Sequence, residues 1–236
     1  MRAIPLRYLP WMVRDLAVAQ GAVLVAVGIL SWLIMGRIDP SPSPSSGPGM
    51  VAGALQQMSL PFLLYCSAAI VSNDRTHGYY RSFFSRPLSP PWYYFTRWIL
   101  GGIFFLLLAP VLTLGLSFAI GSFPFSWTVL GQLALSYLVL GGLIFFFSAF
   151  LRHDWLIGLL VLILQGILHA LRKGGVDLPA IWDFVLTILP PIYLASLNSP
   201  PPSGSALYHV LLYGAGLVIA GLILLRVRPL GAGGRS

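Results

Sequence analysis

Residues 73–98 read NDRTHGYYRSFFSRPLSPPWYYFTRW. The stretch holds four arginines, three prolines and nine aromatic residues, and it joins two long apolar runs, Met50–Ser72 and Trp98–Ile120. Around it the chain is nearly uncharged: of 236 residues, 8% are charged and 57% are hydrophobic. A soluble domain carries about 25% charged residues, so this surface has too little charge to face water. Lipid is the solvent that suits it, and the expected class is an all-α integral membrane protein. In hydrocarbon a helix satisfies its own backbone donors and acceptors, which an open strand cannot do. Residues 73–98 are then a connection at the membrane surface, unusually rich in charge and rings.

The same composition bounds the chemistry. All six acids are aspartate, and the one lysine is Lys173. The net charge of +8 is spread over the connections rather than gathered on a soluble face. It therefore reads as anchoring against anionic lipid heads, not as a nucleic-acid surface. A single cysteine, Cys66, lies inside an apolar run and supports no disulfide framework. Arg2, Arg7 and Arg14 precede the first apolar stretch, but the charged part is long for a signal peptide. No small-x-small cleavage pattern precedes Arg37 either, so the first span reads as retained.

A helix needs about 20 apolar residues to cross a bilayer. Six stretches meet that length approximately: 16–35, 50–72, 98–120, 127–150, 155–171 and 206–225. A seventh apolar stretch, Ile181–Leu197, contains Asp183 and the pair Pro190-Pro191. Such a pair breaks a helix, so this stretch reads as a bent or re-entrant outer hairpin. With both termini inside, the inner segments hold eleven of the fourteen basic residues. Only Arg37, Arg172 and Lys173 remain outside. That asymmetry supports an even number of spans in a single domain covering 1–236. Segment 37–49, RIDPSPSPSSGPG, is a Pro/Ser-rich outer loop. The long outer connection, 172–205, is partly apolar and is expected to form a partly buried cap.

Several chemistries are excluded. A phosphate-binding P-loop needs Gly-Lys followed by Ser or Thr, and Lys173 stands between Arg172 and Gly174. HExxH, CxxC and GxSxG are absent from the sequence. His169 and His209 fall near the outer ends of their spans, without ligand spacing for a metal. Gln165, Ser136 and Tyr137 lie mid-span, and two readings stand for them. Polar groups in a membrane can line a substrate path or hold helices together by hydrogen bonds. Pro61 and Pro110 fall inside spans and are expected to kink them.

Within 73–98 the pattern is a helix punctuated by breakers. Thr76 can cap a short turn beginning near Gly78. Tyr79 and Phe83 then share one face at i, i+4, and Tyr80 and Phe84 form the neighbouring stripe, while Arg81 points elsewhere. Arg86 and Pro87 close the element. Ser89 and Pro90 are suited to cap and open the next helix. Aromatic knobs with arginines suit a docking element, and they equally suit a belt at the lipid headgroups.

The run DRTHGYYRSFFSRPLSPPWYYFTRWILGG resembles the cytoplasmic loop of type-2 ABC exporter permeases. That loop has a polar residue, a glycine, aromatics with a basic residue, a proline with a small residue, and an aromatic entry to the third span. The family often carries glutamate where Asn73 or Asp74 stands. The wider plan is similar too: about 240 residues, six spans, an amphipathic N-terminal segment (here Pro5–Leu16) and a long outer connection before the last span. The resemblance implies a permease subunit in the cell membrane that pairs with a second permease chain. It would dock a separate ABC ATPase subunit through a coupling helix bearing Gly78, Tyr79, Tyr80, Arg81, Phe83, Phe84, Arg86 and Pro87. ATP and Mg would belong to that partner, with no cofactor bound by this chain and no enzymatic activity of its own. A structural or accessory subunit of a larger membrane complex is the alternative. An intramembrane enzyme ranks last, because the six aspartates are scattered over both sides.

Overall fold

The computed structural model describes residues 9–38, 47–68, 70–71, 74, 89–120, 125–151, 153–175, 179, 181–182, 184–185, 189–195 and 200–227. Nine α-helices are assigned among them and no strand. They are α1 (Leu9–Ile38), α2 (Gly47–Ser67), α3 (Pro90–Leu106), α4 (Leu108–Ile120), α5 (Trp127–Ser136), α6 (Gly142–Ser148), α7 (Asp154–Lys173), α8 (Ile192–Ala195) and α9 (Gly204–Val227). A π-helical turn, Tyr137–Gly141, joins α5 to α6.

Among the described residues, five helical segments are long and apolar enough to cross a membrane: Leu9–Leu30, Pro90–Gly115, Trp127–Ser148, Asp154–Arg172 and Gly204–Val227. Helix α2 contributes a shorter apolar stretch, Met58–Ser67. The chain is thus of the multi-pass α-helical kind.

Two span boundaries lie earlier than the apolar stretches of the sequence, each for a local reason. Helix α1 begins at Leu9 and runs unbroken to Ile38, so from Leu9 onward the amphipathic segment is the first turns of the spanning helix. Arg14 and Asp15 do not interrupt it, since a charge near a helix end costs little in the interfacial region. Helix α3 opens at Pro90, as the Ser89-Pro90 pair leads one to expect, and the spanning segment counts from there, eight residues before Trp98. Ser89 has the extended backbone of an N-cap (φ −85°, ψ 115°), with proline in the first turn, where a missing N–H loses no bond. The Ser89 carbonyl accepts from the Tyr93 N–H at 3.0 Å, while its hydroxyl makes no capping bond.

Pro110 acts as expected. It cannot donate to the Leu106 carbonyl, and the helix is interrupted for the single residue Leu107 before α4 resumes. The Leu107 N–H to Ile103 and Val111 N–H to Leu107 bonds carry the chain across the break.

The segments Pro90–Gly115 and Trp127–Ser148 form the centre. Of their apolar windows 44% and 56% are buried, against 17–28% in the other three. Helix α1 runs beside α4, with Gly28 against Val111 and Gly115. Helix α2 packs on α3 and α4, and α9 packs on α6 and the π turn. Phe105, Phe145, Tyr94 and Leu140 are among the fully buried side chains between them. Large apolar side chains such as Val18, Val25, Leu160, Leu212 and Ile223 point outward, as a lipid-facing surface requires.

Candidate functional site

At the end of the bundle where α1 and α3 begin and α2 finishes, three charged side chains meet. Arg97 lies two turns into α3. Its Nη1 donates to both carboxylate oxygens of Asp74, each at 3.3 Å, and its Nη2 stands 3.9 Å from Asp15 Oδ2 on α1. The side chains of Asp74 and Arg97 are 4% and 18% exposed, whereas that of Asp15 is 57% exposed. Burial pushes the Asp74 carboxyl above the usual aspartate range, and the Arg97 guanidinium and Tyr94 hydroxyl only partly offset it.

Beside this cluster lies a pocket of about 340 Å³. Asp15, Gln20, Tyr65, Cys66 and Arg97 line it, with Leu16, Ala19, Ala68 and Ile70 as apolar wall. The Tyr65 hydroxyl donates to the Ala19 carbonyl at 3.2 Å, bridging α2 to α1. Gln20 is 5% exposed, and its Oε1 has no hydrogen-bond partner among the described residues.

The aromatic entry to the third span forms core rather than a displayed surface. Tyr93, Tyr94 and Trp98 are buried. Tyr93 meets Tyr94 edge to face, and Phe95 stacks on Trp98. Residues 75–88, with the whole of the expected coupling helix from Gly78 through Tyr79, Tyr80, Arg81, Phe83, Phe84 and Arg86 to Pro87, lie outside the described residues.

The three mid-span polar residues each donate a hydrogen bond to a backbone carbonyl of the same chain. Tyr137 gives its hydroxyl to the Trp98 carbonyl at 2.7 Å, across two helices. Its ring stacks on Phe105 and leans on Trp98. A Cβ on Gly102 would come within 2.7 Å of that ring, so only glycine leaves room for it. Ser136 Oγ donates to the Ala195 carbonyl at 2.5 Å, and Gln165 Nε2 donates to the Pro190 carbonyl. These last two bonds pin segment 189–195, in which Pro190, Pro191, Ile192 and Ala195 are buried. Ile181, Trp182 and Phe184, earlier in the same apolar stretch, are exposed, so the described part of the cap is buried only at its second half.

His169 stacks on Tyr193 of α8, ring centres 5.4 Å apart, and His209 meets Tyr213. Among the described residues no group of three or more histidine, cysteine or acidic side chains is arranged to hold a metal.

Known proteins offer no guide to this geometry. No family model, curated protein or solved structure matches the chain. The likeness to exporter permeases therefore rests on the loop residues and the plan of the chain alone. Sequence reading missed Asp15, Gln20 and the Arg97–Asp74 pair as a site. Their one signal was charge and amide at span ends, and nothing in the linear order says that α1, α2 and α3 bring those ends together.

Proposed function

We propose that this chain is the membrane-spanning subunit of an ATP-driven exporter, moving or flipping a substrate outward with ATP hydrolysed by a separate subunit. The observation that carries the reading is the loop from Asp74 to Pro90. Its sequence resembles a coupling loop, and Asp74, where it starts, is paired with Arg97, two turns into the helix that follows it. A force on residues 78–86 would then reach α3, which runs without a break from Pro90 to Leu106. In this reading α2 completes a sixth crossing, both termini lie on the cytoplasmic side of the cell membrane, and two chains pair around the path. ATP binding closes the partner ATPases, the coupling helices follow them, and the spans move as levers.

The test is copurification. Truncating an interface anchor commonly costs about 2 kcal/mol or more. The double variant Tyr80→Ala, Phe84→Ala should therefore weaken ATPase docking by roughly a hundredfold or more while the protein still inserts. If the ATPase stays bound with unchanged turnover, the loop is a headgroup belt and not a coupling element.

An accessory subunit without transport is the second reading, and one observation favours it. Ser136, Tyr137 and Gln165 each direct a hydrogen bond to this chain's own backbone, so these polar groups are used in packing. Absence of any ATPase from preparations of the unmodified chain would select this reading.

A further inference from the structure

We propose that the pocket between α1, α2 and α3 binds the ammonium group of an amphiphilic primary amine, with Gln20 Oε1 and the Asp15 carboxylate as its acceptors. The open acceptors set the sign of the ligand. The pocket wall carries one carboxylate, Asp15, and one guanidinium, Arg97, and Arg97 is also held by Asp74, which lies outside the wall. Arg97 is already engaged by both acids, whereas more than half of the Asp15 side chain remains open to an incoming cation.

Gln20 sets the hydrogen-bonding character. Its Oε1 is buried without a donor among the described residues, a state that costs about 1–3 kcal/mol unless a partner supplies an N–H or O–H. A fully deprotonated anion offers neither, and a quaternary ammonium has no N–H to give. A primary ammonium supplies three donors, enough for Gln20 and Asp15 together.

The walls set the rest of the molecule. Leu16, Ala19, Ala68 and Ile70 line the pocket, so the part of the molecule next to the amine meets apolar wall. The cavity of about 340 Å³ exceeds the volume of an ethanolamine group. The two sources of such an amine are an aminophospholipid of the bilayer and a free alkylamine. The pocket geometry stands by itself: loss of the ATPase-docking reading would leave it unchanged.

The experiment is native mass spectrometry of the full chain, carried through nanodiscs containing equal phosphatidylethanolamine, which has a primary ammonium, and phosphatidylcholine, which has a quaternary one. Wild type is expected to retain the ethanolamine lipid about tenfold over the choline lipid, one good charged hydrogen bond's worth. Gln20→Leu and Asp15→Asn should each bring that ratio close to one. Asp15 is largely exposed, so its variant folds as wild type and keeps the comparison informative if Gln20→Leu does not. Hexylammonium added to the same sample separates the sources. Displacement of the lipid from wild type but not from Asp15→Asn assigns a free amine, and persistence of the lipid assigns the bilayer. Equal retention of the two lipids with no binding of hexylammonium overturns the proposal. So does a preference that both variants leave intact.

Discussion

Arg97 shows how one side chain can hold several elements at once. It ties α3 to Asp74, just beyond α2, and reaches Asp15 on α1. A buried ion pair is weak evidence for net stability, but removing one partner strands the other, at about 3–5 kcal/mol. Asp74 gives this cost a pH signature. Its carboxyl lies above the ordinary range because burial outweighs Arg97 and Tyr94. The folded chain therefore holds that proton more tightly than the unfolded one. Stability from this group is fully present below the unfolded value near 3.8, and it is lost as pH rises through the folded value. Arg97→Leu removes the main opposing charge and should widen the window. Its loss of thermal stability relative to wild type should grow as pH rises above the unfolded value near 3.8, reaching about 3 kcal/mol. Asp74→Asn in the same background should recover most of it. Thermal unfolding in detergent at several pH values measures this, and a pH-independent loss would clear Asp74 of the role.

At the scale of the elements, close approach decides which helices touch. Gly214 brings α9 so near the π turn that an added Cβ would stand 2.6 Å from Leu138 Cγ and 3.1 Å from its backbone. In lipid, tight van der Waals contact of this kind replaces the hydrophobic drive between helices. Gly214→Ala should cost about 1–3 kcal/mol by overpacking. Two residues on, nothing lies within 4 Å of a Cβ built on Gly216. Gly216→Ala should be neutral or stabilising by up to about 1 kcal/mol, the helix-propensity gain. Unfolding in mixed detergent with SDS compares the two, and equal effects would mean that α9 does not pack on that face. The sequence displayed the glycines of α9 but not their partners, because small-residue spacing marks a close face without naming the helix that meets it. The same limit applied to Ser136, Tyr137 and Gln165. Their mid-span positions were legible, whereas their partners, the carbonyls of Ala195, Trp98 and Pro190, were not.

For the whole molecule, the distribution of basic residues predicts six crossings with both ends in the cytoplasm. Cys66 is the sole cysteine and is buried, so single cysteines introduced elsewhere report cleanly. Ser45→Cys should be labelled only from outside and Leu230→Cys only from inside, using an impermeant thiol reagent on intact cells and on inverted vesicles. Labelling of position 45 from the inner side, or of position 230 from the outer side, would sink the arrangement.

The sequence by itself determined the solvent and the helices. With 8% charged residues the chain cannot cover a water-facing surface, and with lipid around it the backbone must close its hydrogen bonds within helices. Local chemistry fixed some boundaries as well: Ser89 with Pro90 opens α3, and Pro110 breaks the third span at Leu107. Those are effects within one turn of the chain, which linear order contains. Tertiary structure alone decided that the aromatic entry Tyr93–Trp98 would be core, that residues 189–195 would be pinned from two helices, and that Asp15, Gln20 and Arg97 would line one pocket, with Asp74 paired to Arg97 beside it. Each of these joins residues from different helices. In a membrane, which helices adjoin depends on side-chain fit and a few hydrogen bonds rather than on the apolar pattern, since every outward face is apolar alike.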